Sequence, residues 1–270
     1  MELNSQQLSA THHMDGPCLV LAGPGSGKTA VLTSRIDALI KSGIPAGEIL
    51  VITFTKAAAI EMKERFDRLS DNIYPVTFGT FHSLFWGILQ KEKGLKSSDI
   101  LLGNERLKII KEAMIKANLS CDDSLMLTLM STELSNANNA CIPIEQYEPK
   151  YVEKQDLLVF NRAFREVKTK YNLLDFDDML VKAYELFKER PEILAKWHAR
   201  FKYILVDEMQ DMNELQFQLM IMLSKPNNNI FCVGDDDQSI YGFRGANPKI
   251  MQNFVEVYPD CKTIILEHNY

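Results

Sequence analysis

The chain has 270 residues, 46% of them apolar and 24% charged, and a net charge of −6. That is enough for one large or two small domains with a proper core, and the absence of any run of eighteen apolar residues excludes a membrane-spanning helix. The polar N-terminus does not read as a signal peptide, and the acidic total predicts that any nucleic-acid contact is local.

Five cysteines, at positions 18, 121, 141, 232 and 261, include no Cys-x-x-Cys pair. An odd, unpatterned set predicts reduced thiols and a cytosolic home, with neither a disulfide framework nor a zinc site. In chain order, Leu3-Asn4-Ser5-Gln6-Gln7 comes first. Asn4 or Ser5 can cap a short helix to about His13, which Gly16-Pro17 stops. Cys18-Leu19-Val20-Leu21-Ala22 is an apolar run that reads as a buried strand. Gly23-Pro24-Gly25-Ser26-Gly27-Lys28-Thr29 follows, and then Ala30, Val31, Leu32, Ile36, Leu39 and Ile40 recur at helical spacing. Strand, glycine-rich turn, helix is the setting of a phosphate-binding loop. Backbone N–H groups wrap a polyphosphate and the helix N-terminus faces it with positive dipole. Lys28 would reach the β and γ phosphates, and the Thr29 hydroxyl would ligate Mg²⁺. Ala22 stands at the usual first glycine.

Ser42-Gly43-Ile44-Pro45 makes a turn, and Ile49 to Thr55 reads as a second buried strand. A helix is predicted from Ala57 to Arg68, then a shorter strand at Val76-Thr77-Phe78, running into Gly79-Thr80-Phe81-His82-Ser83. This β-α-β-α-β order points to a parallel sheet. From about Leu89 to about Arg190 no strand pattern stands out. Leu107, Ile110 and Met114 fit one helical face, and Leu157, Phe160, Phe164, Val167 and Tyr171 fit another. Ser131–Pro149 reads as a loop. Strands resume at Tyr203-Ile204-Leu205-Val206, followed by Asp207-Glu208, and a helix is predicted near Leu215–Leu223. Ile230-Phe231-Cys232-Val233 leads into Gly234-Asp235-Asp236-Asp237-Gln238, and Thr263-Ile264-Ile265-Leu266 is a last strand. A chain that stops right after a strand, with no closing helix, is expected to be cut from a longer protein.

Adjacent acids at the end of an apolar strand suit an ATPase loop. Asp207 is assigned to the metal and Glu208 to the attacking water. Gln238 can sense a γ phosphate without acting as a base. Tyr241, Phe243 and Arg244 sit together on a glycine-flanked segment. Aromatic faces stack on unpaired bases and arginine pairs with phosphates. From spacing alone, core positions for Tyr241 and Phe243 fit equally well.

These segments together resemble the N-terminal part of a superfamily 1 DNA helicase of the UvrD/Rep/PcrA type. Leu3–Gln7 is similar to the Q motif, Ala22–Thr29 to motif I, and Thr53–Ala59 with Glu61 and Met62 to motif Ia. Gly79–Ser83 resembles the next DNA-contacting motif, and Asp175–Leu180 a family segment at the end of the inserted subdomain. Val206–Asp211 resembles motif II, Val233–Ala246 motif III, and Asn269-Tyr270 the start of motif IV. The resemblance implies an α/β fold, a RecA-like P-loop NTPase parallel sheet built from about 1–88 and 190–270, with an all-helical subdomain inserted at 89–189. It implies ATP and Mg²⁺ as cofactors, a cytoplasmic location, and single-stranded DNA and DNA junctions as partners. Nucleotide would be held by Gln7 and Tyr270 at the adenine, by Ala22, Gly23, Pro24, Gly25, Ser26, Gly27, Lys28 and Thr29, and by Gln210. Lys28, Glu208 and Gln238 would be catalytic, with Thr29 and Asp207 on the metal. Phe54, Thr55, His82, Tyr241, Phe243 and Arg244 would contact DNA or couple it to the nucleotide. The sequence departs from the family pattern at Ala30, Lys56-Ala57, Met209, Met212 and Phe243, without removing a charge from the chemistry. The expected parent activity is ATP-dependent 3′–5′ translocation. Without the second RecA-like domain in cis, and its arginine finger, weak ATP binding, poor hydrolysis and no unwinding are expected. The rival reading is an ATP-gated binding module that uses nucleotide only as a switch.

Overall fold

The computed structural model describes residues 3–70, 72–121, 123–235 and 249–267. Its strands are β1 (Cys18–Ala22), β2 (Ile49–Thr53), β3 (Thr77–Thr80), β4 (Tyr203–Val206), β5 (Ile230–Gly234) and β6 (Lys262–Leu266). Its helices are α1 (Ser5–Thr11), α2 (Lys28–Lys41), α3 (Lys56–Leu69), α4 (Phe81–Lys93), α5 (Gly103–Lys116) and α6 (Ser124–Asn139), then α7 (Lys154–Tyr171), α8 (Phe176–Glu189), α9 (Pro191–Arg200), α10 (Glu214–Ser224) and α11 (Ile250–Val257). The chain divides into two compact units, 1–84 with 186–270, and 85–185.

The first unit is an α/β sheet domain. The six strands lie in the order β3-β2-β4-β5-β1-β6, and every pair is parallel. β1, the first strand in sequence, pairs with β5 (Cys18 beside Phe231) and with β6 (Cys18 beside Lys262). Parallel strands covered on both faces read as unbroken apolar runs. Successive side chains alternate between faces. Cys18, Val20, Val51, Leu205, Phe231 and Val233 pack with Val31, Leu32, Ile36 and Leu39 of α2 and Met62 and Phe66 of α3. The alternate residues Leu19, Leu50, Ile52, Ile204, Val206 and Cys232 are also buried, so the other face is covered as well. All the carboxyl ends lie along one edge, where open α/β sheets take their ligands.

Arg35 of α2 is buried beneath this sheet, with its guanidinium 4.4 Å from the Phe231 ring centroid. It donates to the Met14 carbonyl at 3.0 Å. Burial brings its pKa down to about 10.

The second unit is helical, and an isolated bridge between Ile100 and Leu174 is its only β pairing among the described residues. Ile109, Ile110, Ala113 and Met114 of α5 pack with Leu127, Met130 and Leu134 of α6 and Leu157, Phe160, Phe164 and Val167 of α7. Two expectations need correction. Ser131–Pro149 is not a loop throughout, because α6 runs to Asn139. Its buried stripe Leu127, Met130, Leu134 and Ala137 has helical spacing, which the polar residues between had hidden. Leu107 and Tyr171 are exposed, since the buried face of α5 is centred on Ile109–Met114 and Tyr171 is the last residue of its helix.

Polar groups pin this unit internally. Glu133 is wholly buried and accepts from the Tyr147 hydroxyl (2.6 Å) and the Lys150 and Tyr151 N–H groups (2.7 and 2.9 Å). The buried Lys168 ammonium donates to Asp175 at 2.9 Å and to Asp178 at 2.5 Å. Burial pushes the Asp175 carboxyl up, but Lys168 and its hydrogen bonds hold it below the usual range on balance; burial, then Asp175, push Asp178 up.

Candidate nucleotide-binding site

The loop leaves β1 at Ala22 and enters α2 at Lys28. Gly25 and Gly27 have φ of 76° and 86°, a left-handed conformation that glycine adopts without strain. Ser26 is fully buried, and its hydroxyl donates to the Gly23 carbonyl at 2.7 Å, closing the turn on itself. Pro24 and Gly25 are exposed, while Gly23, Gly27, Lys28 and Thr29 are half-buried. No side chain caps α2 at Gly27, and an uncapped helix N-terminus can accept an anion.

Gln7 lies against the loop. It forms a capping box with Asn4, whose side chain accepts from Gln7 N–H at 2.8 Å while Gln7 Oε1 accepts from Asn4 N–H at 2.9 Å. The amide Nε2 donates to the Ser26 carbonyl at 2.9 Å. The two are so close that a Cβ on Gly27 would come within 2.6 Å of Gln7 Nε2. Gln7 thus braces the loop through the Ser26 carbonyl.

β4 ends in Asp207 and Glu208, but β4 is not the neighbour of β1: β5 lies between them. The Lys28 side chain spans that strand, and its ammonium is 3.2 Å from Glu208 Oε2 and 3.9 Å from Asp235 Oδ2. Glu208 is left-handed (φ 51°, ψ 50°), an uncommon state for a residue with a side chain. A 3-10 turn at Met209–Asp211 follows and buries Gln210. Gln210 Nε2 donates to Glu208 Oε2 at 2.6 Å, and its Oε1 accepts from Asp235 N–H at 3.0 Å. Burial, and then the charge of Glu208, push the Asp207 carboxyl up to about 6. Asp235 is wholly buried beside Lys28 and was not singled out from sequence. The signal was present, since Asp235 follows an apolar strand as Asp207 does.

A hard divalent cation fits what is here. Thr29 and Asp207 offer oxygen ligands only, and a cation beside Asp207 would favour its ionised form against the burial and the Glu208 charge that raise it. No group of three or more His, Cys, Asp or Glu side chains among the described residues could hold a metal alone. Mg²⁺ commonly takes one or two carboxylates and completes its shell with phosphate and water.

Of the expected DNA contacts, Phe54 is half-buried after β2, and Thr55 is exposed with its hydroxyl capping α3 by accepting from Ala58 N–H at 3.1 Å. His82 is half-buried in the first turn of α4, where burial takes its pKa down to about 4, so the ring is neutral at pH 7. A cleft of about 310 Å³ opens nearby at the same sheet edge, lined by Lys56, Ile60, Lys63, Phe78, Thr80 and Ser83. Gln238, Tyr241, Phe243, Arg244 and Tyr270 lie outside the described residues.

The UvrD/REP helicase N-terminal domain matches residues 3–259 of this sequence. The chain belongs to that family. Among curated relatives, a putative ATP-dependent DNA helicase YjcD of Bacillus subtilis is 40% identical over 276 residues, covering 99% of this chain and 36% of that protein. A probable DNA helicase II homolog of Mycoplasma capricolum is 36% identical, over 99% of this chain and 39% of its own length. The ATP-dependent DNA helicase PcrA of Leuconostoc citreum is also 36% identical, with 99% and 37% covered. The chain therefore spans less than two-fifths of the length of these relatives. The resemblance stated from the motifs and the α/β parallel-sheet class both hold. No helix among the described residues is long and apolar enough to cross a membrane.

Proposed function

We propose that this chain is the N-terminal ATP-binding part of an ATP-dependent DNA helicase that translocates 3′ to 5′ on single-stranded DNA. The observation that carries the reading is the convergence of the Lys28 ammonium on Glu208 and Asp235 at the mouth of an uncapped glycine loop. A cation, an acid pair and an anion-binding helix end then share one sheet edge, which is what phosphoryl transfer to water requires. Lys28 would turn from Glu208 to the incoming phosphates, and Glu208 would orient and deprotonate water. Thr29 and Asp207 would hold Mg²⁺, which supplies charge neutralisation for the β and γ phosphates. Gln238 would sense the γ phosphate, and Gln7 and Tyr270 would flank the adenine. The track for single-stranded DNA would run over Phe54, Thr55 and His82, joined by Tyr241, Phe243 and Arg244. The helical unit is the inserted subdomain, the whole protein acts in the cytoplasm, and DNA junctions are its substrates. The length of the relatives motivates a second RecA-like domain in cis, without which the chain binds ATP weakly and does not unwind DNA.

The test is ATPase rate with and without single-stranded DNA, on this chain and on the protein extended to the length of its relatives, each beside Glu208→Gln. DNA-stimulated turnover in the extended protein, cut by the substitution to a small residual rate, is expected. ATP-dependent DNA binding with no turnover would replace the motor by a nucleotide-gated switch.

A further inference from the structure

Glu208 is the residue on which hydrolysis depends in the reading above, yet its backbone is in a region that side chains disfavour. Something outside the residue has to hold it there. Two donors converge on the same carboxylate oxygen, Lys28 Nζ and Gln210 Nε2. Phosphate would draw Lys28 away, and Gln210 would remain. The orientation of its amide is fixed by chemistry: a backbone N–H can only donate, so the atom facing Asp235 N–H is the oxygen, and the nitrogen must face Glu208.

The other end of Gln210 is anchored with equal care. Gly234 lets the amide approach, since a Cβ there would lie 3.1 Å from Gln210 Oε1 and 2.8 Å from Met251 Cε. Met251 belongs to α11, the helix that follows residues 236–248, and Asp235 is the residue before them. Both ends of that connection therefore meet at the Gly234–Gln210 contact.

We propose that Gln210 is the positioning residue for Glu208, with the carboxyl end of β5 as its fixed point, so that a shift of Asp235 re-aims the Glu208 carboxylate. This rests on the nucleotide-site reading, in which Glu208 faces the attacking water. It replaces the expectation that Gln210 holds nucleotide, because both polar ends of its amide are bonded within the protein, to Glu208 and to Asp235 N–H. A shared strut of this kind lets an event at the end of β5 set the hydrolysis rate without changing nucleotide affinity.

The experiment uses the extended protein with Gln210→Met, which keeps length and volume but no hydrogen bonds, and Gln210→Glu, which keeps the acceptor for Asp235 N–H and loses the donor to Glu208. Both should lower kcat by about ten- to a hundred-fold, the scale of a misplaced catalytic group. Nucleotide Kd, measured with a fluorescent ADP, should stay within about three-fold. If Gln210 acts through Glu208, adding Gln210→Met to Glu208→Gln slows the enzyme no further. Hydrogen exchange without nucleotide gives an independent readout: the Asp235 amide should lose protection in Gln210→Met and keep it in Gln210→Glu, while the β5 interior is unchanged. An equal slowing of wild type and Glu208→Gln, or an unaltered Asp235 amide in Gln210→Met, overturns the proposal. Wild-type turnover by Glu208→Gln itself would sink the hydrolysis reading and, with it, any role for Gln210 in aiming Glu208.

Discussion

Gly27→Ala is a perturbation whose size can be worked from geometry. Gly27 has φ of 86°, so a methyl group meets a left-handed backbone penalty of about 1–2 kcal/mol. The new Cβ would also sit 2.6 Å from Gln7 Nε2, so the amide has to move by about 1 Å to reach van der Waals distance. That breaks its 2.9 Å bond to the Ser26 carbonyl and stretches the bond to Asn4 N–H, a net loss of about 1–2 kcal/mol. The sum is about 2–4 kcal/mol, a large share of the roughly 5–15 kcal/mol that stabilises a typical domain. In a Gln7→Ala background there is no amide to displace, and only the backbone part of about 1–2 kcal/mol remains. The assay is urea unfolding followed through hydrogen exchange of the β1 amides, which reports on the sheet unit alone. An equal destabilisation by Gly27→Ala in both backgrounds would refute the claim that Gln7 and the loop are packed as one piece.

The His82 ring binds a proton more weakly folded, at about 4, than unfolded, at 6.5, so stability is insensitive to it above pH 7 and falls as pH drops from 6.5 towards 4. At pH 5 the loss is about 2 kcal/mol, and His82→Phe should remove it in urea titrations at pH 7 and 5. In the helical unit, Lys168→Met leaves Asp175 and Asp178 without their cation and should cost about 3–5 kcal/mol, most of it recovered when both acids become asparagine. Glu133→Gln should cost under about 1 kcal/mol, because the amide oxygen can still accept both N–H groups and the Tyr147 hydroxyl can reverse its role, whereas Glu133→Leu should cost about 1–3 kcal/mol. Calorimetry of the single and combined variants checks both.

Much of the sheet was legible because β1, β2, β4 and β5 are buried on both faces and read as unbroken apolar runs, with glycine or acid at the ends of β1, β4 and β5. Strand order was not legible. Nothing local in Ile230–Gly234 says that it inserts between the loop strand and the acid strand, so the reach of Lys28 across β5, and the place of Asp235 beside it, emerged only in three dimensions. The Gln210 bridge was hidden for the same reason: residue types and motif were visible, but not which atoms face Glu208 and Asp235. α6 escaped notice because its apolar positions are diluted by asparagine, serine and a buried glutamate whose partners lie in the following loop.

The strand order also sets a timetable for synthesis. β1 carries the phosphate loop and is the first strand made, yet its two neighbours, β5 and β6, are the last two of the six. Cys18 waits for Phe231, and at a ribosomal rate of about 5–20 residues per second that delay is roughly ten to forty seconds. Through that interval an apolar strand has both edges open, the condition under which nascent chains stick to one another or are taken up by chaperones. The helical unit, with its near-in-sequence contacts, has ample time to fold first. Moving the last two strands ahead of β1 by circular permutation should shorten that exposure and raise the soluble yield.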